Sequence, residues 1–93
     1  MVVGVCEVEF HLPGSSSLKA KRFVLRGLRD RLRRRLNVAV SEVDHHDLWQ
    51  RATLAVVTVS NDAGVVHSVL EHARAIVERE PRLVLLDVRV ELR

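Results

Sequence analysis

The chain has 93 residues, 47% hydrophobic and 29% charged, with a formal net charge of +3 and an isoelectric point near 10.0. That length supports one domain with one core, the composition is that of a soluble globular protein rather than a disordered one, and no apolar run approaches the roughly 18 residues that span a bilayer. The start, MVVGVCE, lacks the basic residues and cleavage site of a secretory signal, so the expected location is the cytoplasm.

Val2 to Leu12 is rich in β-branched residues and alternates in its second half: Cys6, Val8, Phe10 and Leu12 point one way, and Glu7, Glu9 and His11 the other. This predicts a strand with one buried face, on which the single cysteine, Cys6, is a small hydrophobe without a disulfide partner. Pro13-Gly14 ends the strand and the serines that follow supply N-cap hydroxyls. From Leu18 a helical period begins, with Leu25, Leu28, Leu32 and Leu36 on one stripe, and it ends near Asn37. Val38 to Val43 and Ala52 to Val59 are two more strands, close enough to form a hairpin with Asp44 to Arg51 at its tip. Ser60-Asn61-Asp62 offers caps for a second amphipathic helix carrying Val65, Val66, Val69, Leu70, Ala73, Ile76 and Val77, which Pro81 stops. Leu83 to Leu92 is the last strand, Val84, Leu86, Val88, Val90 and Leu92 alternating with Asp87, Arg89 and Glu91.

The order strand, helix, strand, strand, helix, strand in one short chain predicts an α+β ferredoxin-like domain over 1–93: a four-stranded antiparallel sheet with both helices on one face. The other face is open, with Glu7, Glu9, His11, Asp87, Arg89 and Glu91 at one end and Val3 and Val5 at the other.

Two blocks, Gly14 to Arg22 (GSSSLKAKR) with the basic helix after it and Glu42 to Asp62 (EVDHHDLWQRATLAVVTVSND), resemble the signatures of the YlxP-like bacterial family, and the resemblance runs over essentially the whole chain. It implies a ferredoxin-like fold, no established enzymatic activity and no assigned residue roles. Genes of that family commonly lie beside genes for translation initiation and ribosome maturation, which points to an RNA or ribosome setting by association.

Most basic residues are arginine, which favours bidentate contact with phosphate or carboxylate. At 100° per residue, Arg22, Arg26, Arg29 and Arg33 form one row about a quarter-turn from the leucine stripe, with Lys19, Lys21, Arg34 and Arg35 near the ends and Asp30 alone of opposite sign. Lys19, Lys21, Arg22, Arg26, Arg29 and Arg33 are therefore the candidate nucleic-acid contacts, acting on the phosphate backbone with little base readout. The rival reading is a solvated face, or one paired with acidic groups elsewhere. Reading of bases on the sheet is not expected, because Phe10 has the parity of the core and the open face presents glutamates. The loop Gly14 to Ser17 could seat a phosphate with help from Lys19 and Lys21, but ordinary capping accounts for its serines and it is no Walker A motif.

The hairpin tip DHHDLWQR raises three options: metal, catalysis, or a turn that serves a partner contact. Asp44 and His46 are two metal ligands at most, with His11 a third only from another strand, and adjacent His45 and His46 diverge in extended backbone. His67 and His72, five apart, diverge around their helix. Turn chemistry accounts for the aspartates, and nothing resembles a nucleophile elbow. No cofactor, metal or catalytic residue is expected. Asp44, His46, Asp47, Trp49 and Arg51 remain the candidate partner contacts, with Trp49 expected to pack and anchor the tip, or to serve as an interface anchor if exposed. The leading expectation is an RNA- or ribosome-associated accessory protein that is not an enzyme. The alternative is a homodimeric interaction module joined through the open sheet face near Val3 and Val5 or through an edge strand.

Overall fold

A computed structural model describes residues 1–93. Strand β1 (Val2–His11) is followed by helix α1 (Leu18–Arg35), strands β2 (Ala39–Asp44) and β3 (Arg51–Ser60), helix α2 (Ala63–Glu78) and strand β4 (Val84–Leu92). The sheet order is β2-β3-β1-β4 with every pairing antiparallel, and the two helices cover one face. This is the ferredoxin-like arrangement that the element order predicts.

Local chemistry sets the helix boundaries. Ser17, in extended backbone, accepts the Ala20 amide at 3.0 Å and caps α1, while Asp62 accepts the amides of Gly64 and Val65 at 2.8 and 3.4 Å and caps α2. Arg33, Arg34 and Arg35 fill the last turn of α1, where positive charge complements the unsatisfied carbonyls.

Cys6, Val8 and Phe10 of β1 and Ala52, Leu54 and Val56 of β3 form the floor of the core, capped by Leu25, Leu28 and Leu32 of α1 and by Val66, Leu70 and Ala73 of α2. Each buried Val, Leu or Phe side chain among them contributes about 1.5–3 kcal/mol by leaving water. Burial pushes the Cys6 thiol above its ordinary value, which leaves it an inert hydrophobe. At Gly4 a Cβ would stand 2.3 Å from Val66 Cγ1 and 2.9 Å from Leu70 Cδ1, so the missing side chain lets α2 settle on β1.

The alternation of β4 holds only in part. Its register against β1 shifts between Glu9 and Phe10, so that Asp87 lies opposite Glu9 but Leu85 opposite Phe10, and Leu86 is left over. The extra residue turns Leu85 toward the core and leaves Leu86 exposed, contrary to the regular pattern expected for Val84 to Leu92.

Candidate functional site

Lys21 organises one end of the molecule. It lies on the same arc of α1 as Leu25, Leu28 and Leu32, and it is 1% exposed. Its ammonium donates to Glu42 Oε2 at 2.9 Å and to the carbonyls of His45 and His46 at 2.9 and 3.2 Å, with the Arg51 carbonyl at 3.4 Å. A buried ammonium is tolerated only when its three protons find acceptors, and here the hairpin supplies them. The expected phosphate contact at Lys21 is thus corrected: this charge faces inward, and it joins the two sequence blocks that carried the family resemblance. Its position on the leucine arc was the available signal.

The hairpin tip is shaped around that ammonium. His45 adopts the left-handed conformation (φ 65°), stabilised by its amide donating to Asp44 Oδ1 at 2.8 Å, and the Leu48 amide closes the turn on the His45 carbonyl at 3.1 Å. The two imidazoles separate, but in a turn rather than in the extended backbone expected: His45 Nδ1 meets Thr53 Oγ1 at 3.0 Å, whereas His46 Nε2 meets the Glu42 carbonyl at 3.1 Å. Arg51 forms an ion pair with Glu9 on the open face. Gln50 ties the tip to the loop before α1, donating to the carbonyls of Pro13 and Ser15 at 3.3 and 3.2 Å. No three His, Cys, Asp or Glu side chains converge at a spacing that would hold a metal ion.

Trp49 does not pack as an anchor. It is 54% exposed, because the groups that fix the loop are Lys21 and Gln50, and the indole is left to line a shallow cavity of about 450 Å³ with His11, Asp47, Leu48, Gln50 and Arg51. An exposed tryptophan beside an arginine is the composition of a binding hot spot. Asp44 and His46, both exposed, serve the turn and lie outside this cavity.

The arginine row of α1 lies on its outer flank. Arg22, Arg26 and Arg33 are exposed and Arg29 is partly so, and none of the four has a carboxylate within 4.0 Å. Lys19, Arg34 and Arg35 are exposed and equally unpaired, Arg34 donating only to the Asp30 carbonyl at 3.3 Å. The arginines elsewhere contrast with these, except Arg79, which is also exposed and has no carboxylate within 4.0 Å. Arg51, Arg74, Arg82, Arg89 and Arg93 are all in ion pairs, and Arg31, on the flank of α1 nearest α2, reaches buried Glu80 at 3.2 Å. At Glu80, burial favours the neutral acid, but hydrogen bonds from Arg82 and Arg31 outweigh it and hold the carboxyl below its ordinary value.

Sequence reasoning missed Phe23. It projects from the outer pole of α1 between the flanking arginines, 69% exposed, and one turn on at Gly27 the helix surface is bare. Its offset of about 180° from the arc shared by Leu25, Leu28 and Leu32 was a readable signal.

The architecture and this polarised distribution of charge define a ferredoxin-like α+β domain with one cationic helix. No helix is long and apolar enough to cross a membrane. The chain belongs to the family described as a protein of unknown function, DUF503, whose model matches residues 3–90. It is similar to the uncharacterised protein YlxP of Bacillus subtilis (strain 168), with 29% identity over 90 residues covering 97% of this chain and 98% of that protein. Among solved structures it is similar to the de novo designed protein Foldit4, with a TM-score of 0.55 and 12% identity over 98% of this chain and 96% of that one, a likeness of fold alone.

Proposed function

We propose that this protein is a non-enzymatic RNA-binding accessory factor, working in a ribosomal or translational setting, that grips the phosphate backbone with the outer flank of α1. The observation that carries the reading is the unpaired state of Arg22, Arg26, Arg29 and Arg33 in a fold where most other arginines have found carboxylates. The row spans about 16 Å of helix and presents planar, permanently charged donors suited to phosphate. Lys19 and Arg34 extend it, and exposed Phe23 gives an unstacked base a ring to lie on. The Trp49–Arg51 cavity, at the end of the molecule where α1 begins, offers a more specific contact to the same partner. Asp44, His45 and His46 beside it are engaged in shaping the turn, which favours a contact role over catalysis.

A salt titration of binding to single-stranded RNA tests the reading. Four phosphate contacts give a log–log slope of about −3. The double variant Arg26→Glu, Arg29→Glu is expected to weaken binding and flatten the slope, and binding equal to wild type at every salt concentration would remove α1 from the account. Pull-down from native lysate, with and without ribonuclease, separates partners bridged by RNA from proteins bound directly.

A further inference from the structure

The margin of the sheet opposite β2 is formed by β4, which pairs with β1 along one edge and has nothing along the other. Val3 and Arg93 exchange both of their backbone hydrogen bonds, at 2.8 and 2.7 Å. By the two-residue period of an antiparallel ladder, Arg93, Glu91, Arg89 and Asp87 turn their peptide groups toward β1, and Leu92, Val90 and Val88 turn theirs to the vacant side. The side chains of these three lie on the helix-covered face but reach past α2, so Val90 and Leu92 remain 46% and 41% exposed. Between Asp87 and Arg93 the strand has no proline and no bulge, two of the devices by which edges resist pairing.

We propose that this edge receives β4 of a second copy of the chain, antiparallel about a two-fold axis at Val90, making one eight-stranded sheet. The charge pattern selects the register. With the axis at Val90, Arg89 lies opposite Glu91 of the copy and Asp87 opposite Arg93, each twice, while Val88 faces Leu92 and Val90 faces its own equivalent. Moving the axis to Arg89 sets Arg89 against itself and Asp87 against Glu91; moving it to Glu91 sets Glu91 against itself and Arg89 against Arg93. Like charges directly opposite are destabilising. An axis at Val88 runs the ladder into the irregularity at Leu86 and sets Glu91 against Leu85. An axis at Leu92 keeps Glu91 opposite Arg93 but leaves Val88 and Val90 unpaired, so the Val90 register joins the most outward-facing peptide groups, opposite charges and exposed aliphatic side chains. The side chains on the open face already alternate within one chain, Arg89 with Asp87 at 3.2 Å and Arg93 with Glu91 at 3.1 Å, and the copy continues that alternation across the seam.

This assignment is independent of the RNA reading, because α1's arginine row is not part of the seam. Sedimentation velocity on ribonuclease-treated protein at rising concentration is expected to show conversion of the 10.6 kDa monomer into a species of twice that mass. Arg89→Glu and Glu91→Arg, each alone, set like charges opposite one another at two places and are expected to raise the dissociation constant roughly tenfold or more. Mixing the two variants is expected to restore the dimer, because positions 89 and 91 then meet with opposite signs at both places, which happens in no other register considered. Circular dichroism of each variant verifies that it is folded, as the exposure of both side chains predicts. A wild-type chain that remains monomeric at every concentration overturns the proposal. So does a dimer indifferent to both single changes, or a mixture that fails to recover it.

Discussion

Lys21 and Arg22 are neighbours in sequence and opposites in circumstance. One charge lies inside the fold with its protons directed at a carboxylate and backbone carbonyls; the other stands in solvent with no carboxylate near it. Arg31 is an intermediate case, half-exposed and paired with Glu80. The same helix therefore uses positive charge in three ways: as an internal organiser, as a strut to the segment that follows α2, and as a surface without an internal partner. Net charge reports none of this. What separates the three is position around the helix axis, the arc of the leucines, the flank toward α2, and the outer flank.

The largest expected effect comes from removing the organiser. Lys21→Met leaves Glu42 and the tip carbonyls without their donor and is expected to cost roughly 3 kcal/mol in urea melts, with faster amide exchange at residues 45–50. A loss below about 0.5 kcal/mol would mean that the tip holds its shape unaided and would erase the distinction from Arg22.

The strut should show itself through pH. Because the folded-state pKa of Glu80 is lowered, its contribution is fully present above the ordinary glutamate value of about 4.3 and is lost as pH falls through the lower folded value. Glu80→Gln is expected to cost about 1 kcal/mol at pH 7, with the gap from wild type closing as urea melts are taken to pH 3. A constant gap would mean that the side chain acts by packing alone.

Smaller effects follow on the outer flank. Gly27 is exposed in a helix interior, and a Cβ added there would meet nothing within 4 Å, so Gly27→Ala is expected to stabilise by about 0.5–1 kcal/mol through backbone entropy. Arg22→Ala should change stability by less than about 0.5 kcal/mol while weakening RNA binding, the converse of Lys21→Met. An arginine whose removal destabilises the fold substantially would belong with the struts.

Much of the fold was legible because each element carried its own period: the parity of Cys6, Val8 and Phe10, the leucine arc of α1, and the caps Ser17 and Asp62. The irregularity at Leu86 was not, because an apolar residue inserted into an apolar alternation leaves no mark. At the site, the arginine row was readable from angle alone, but its lack of partners was not, since Arg31 and Glu80 are 49 residues apart in sequence and only the fold brings them together. Lys21 and Phe23 were each misjudged or missed for one reason: residue type was given more weight than position around the axis. Trp49 was beyond reach, because its exposure depends on a loop path set by a distant ammonium and by the unusual φ of His45.

The strand order puts β2 and β4 at opposite margins of the sheet, with α1 packed on the β2 side. A polymer held along the first margin and a twin seated on the second would not compete for space. Two such grips in one assembly would make retention on a long strand a matter of avidity, rising steeply with strand length once both ends can be engaged at the same time, whereas a short oligonucleotide would report only the weaker, single attachment.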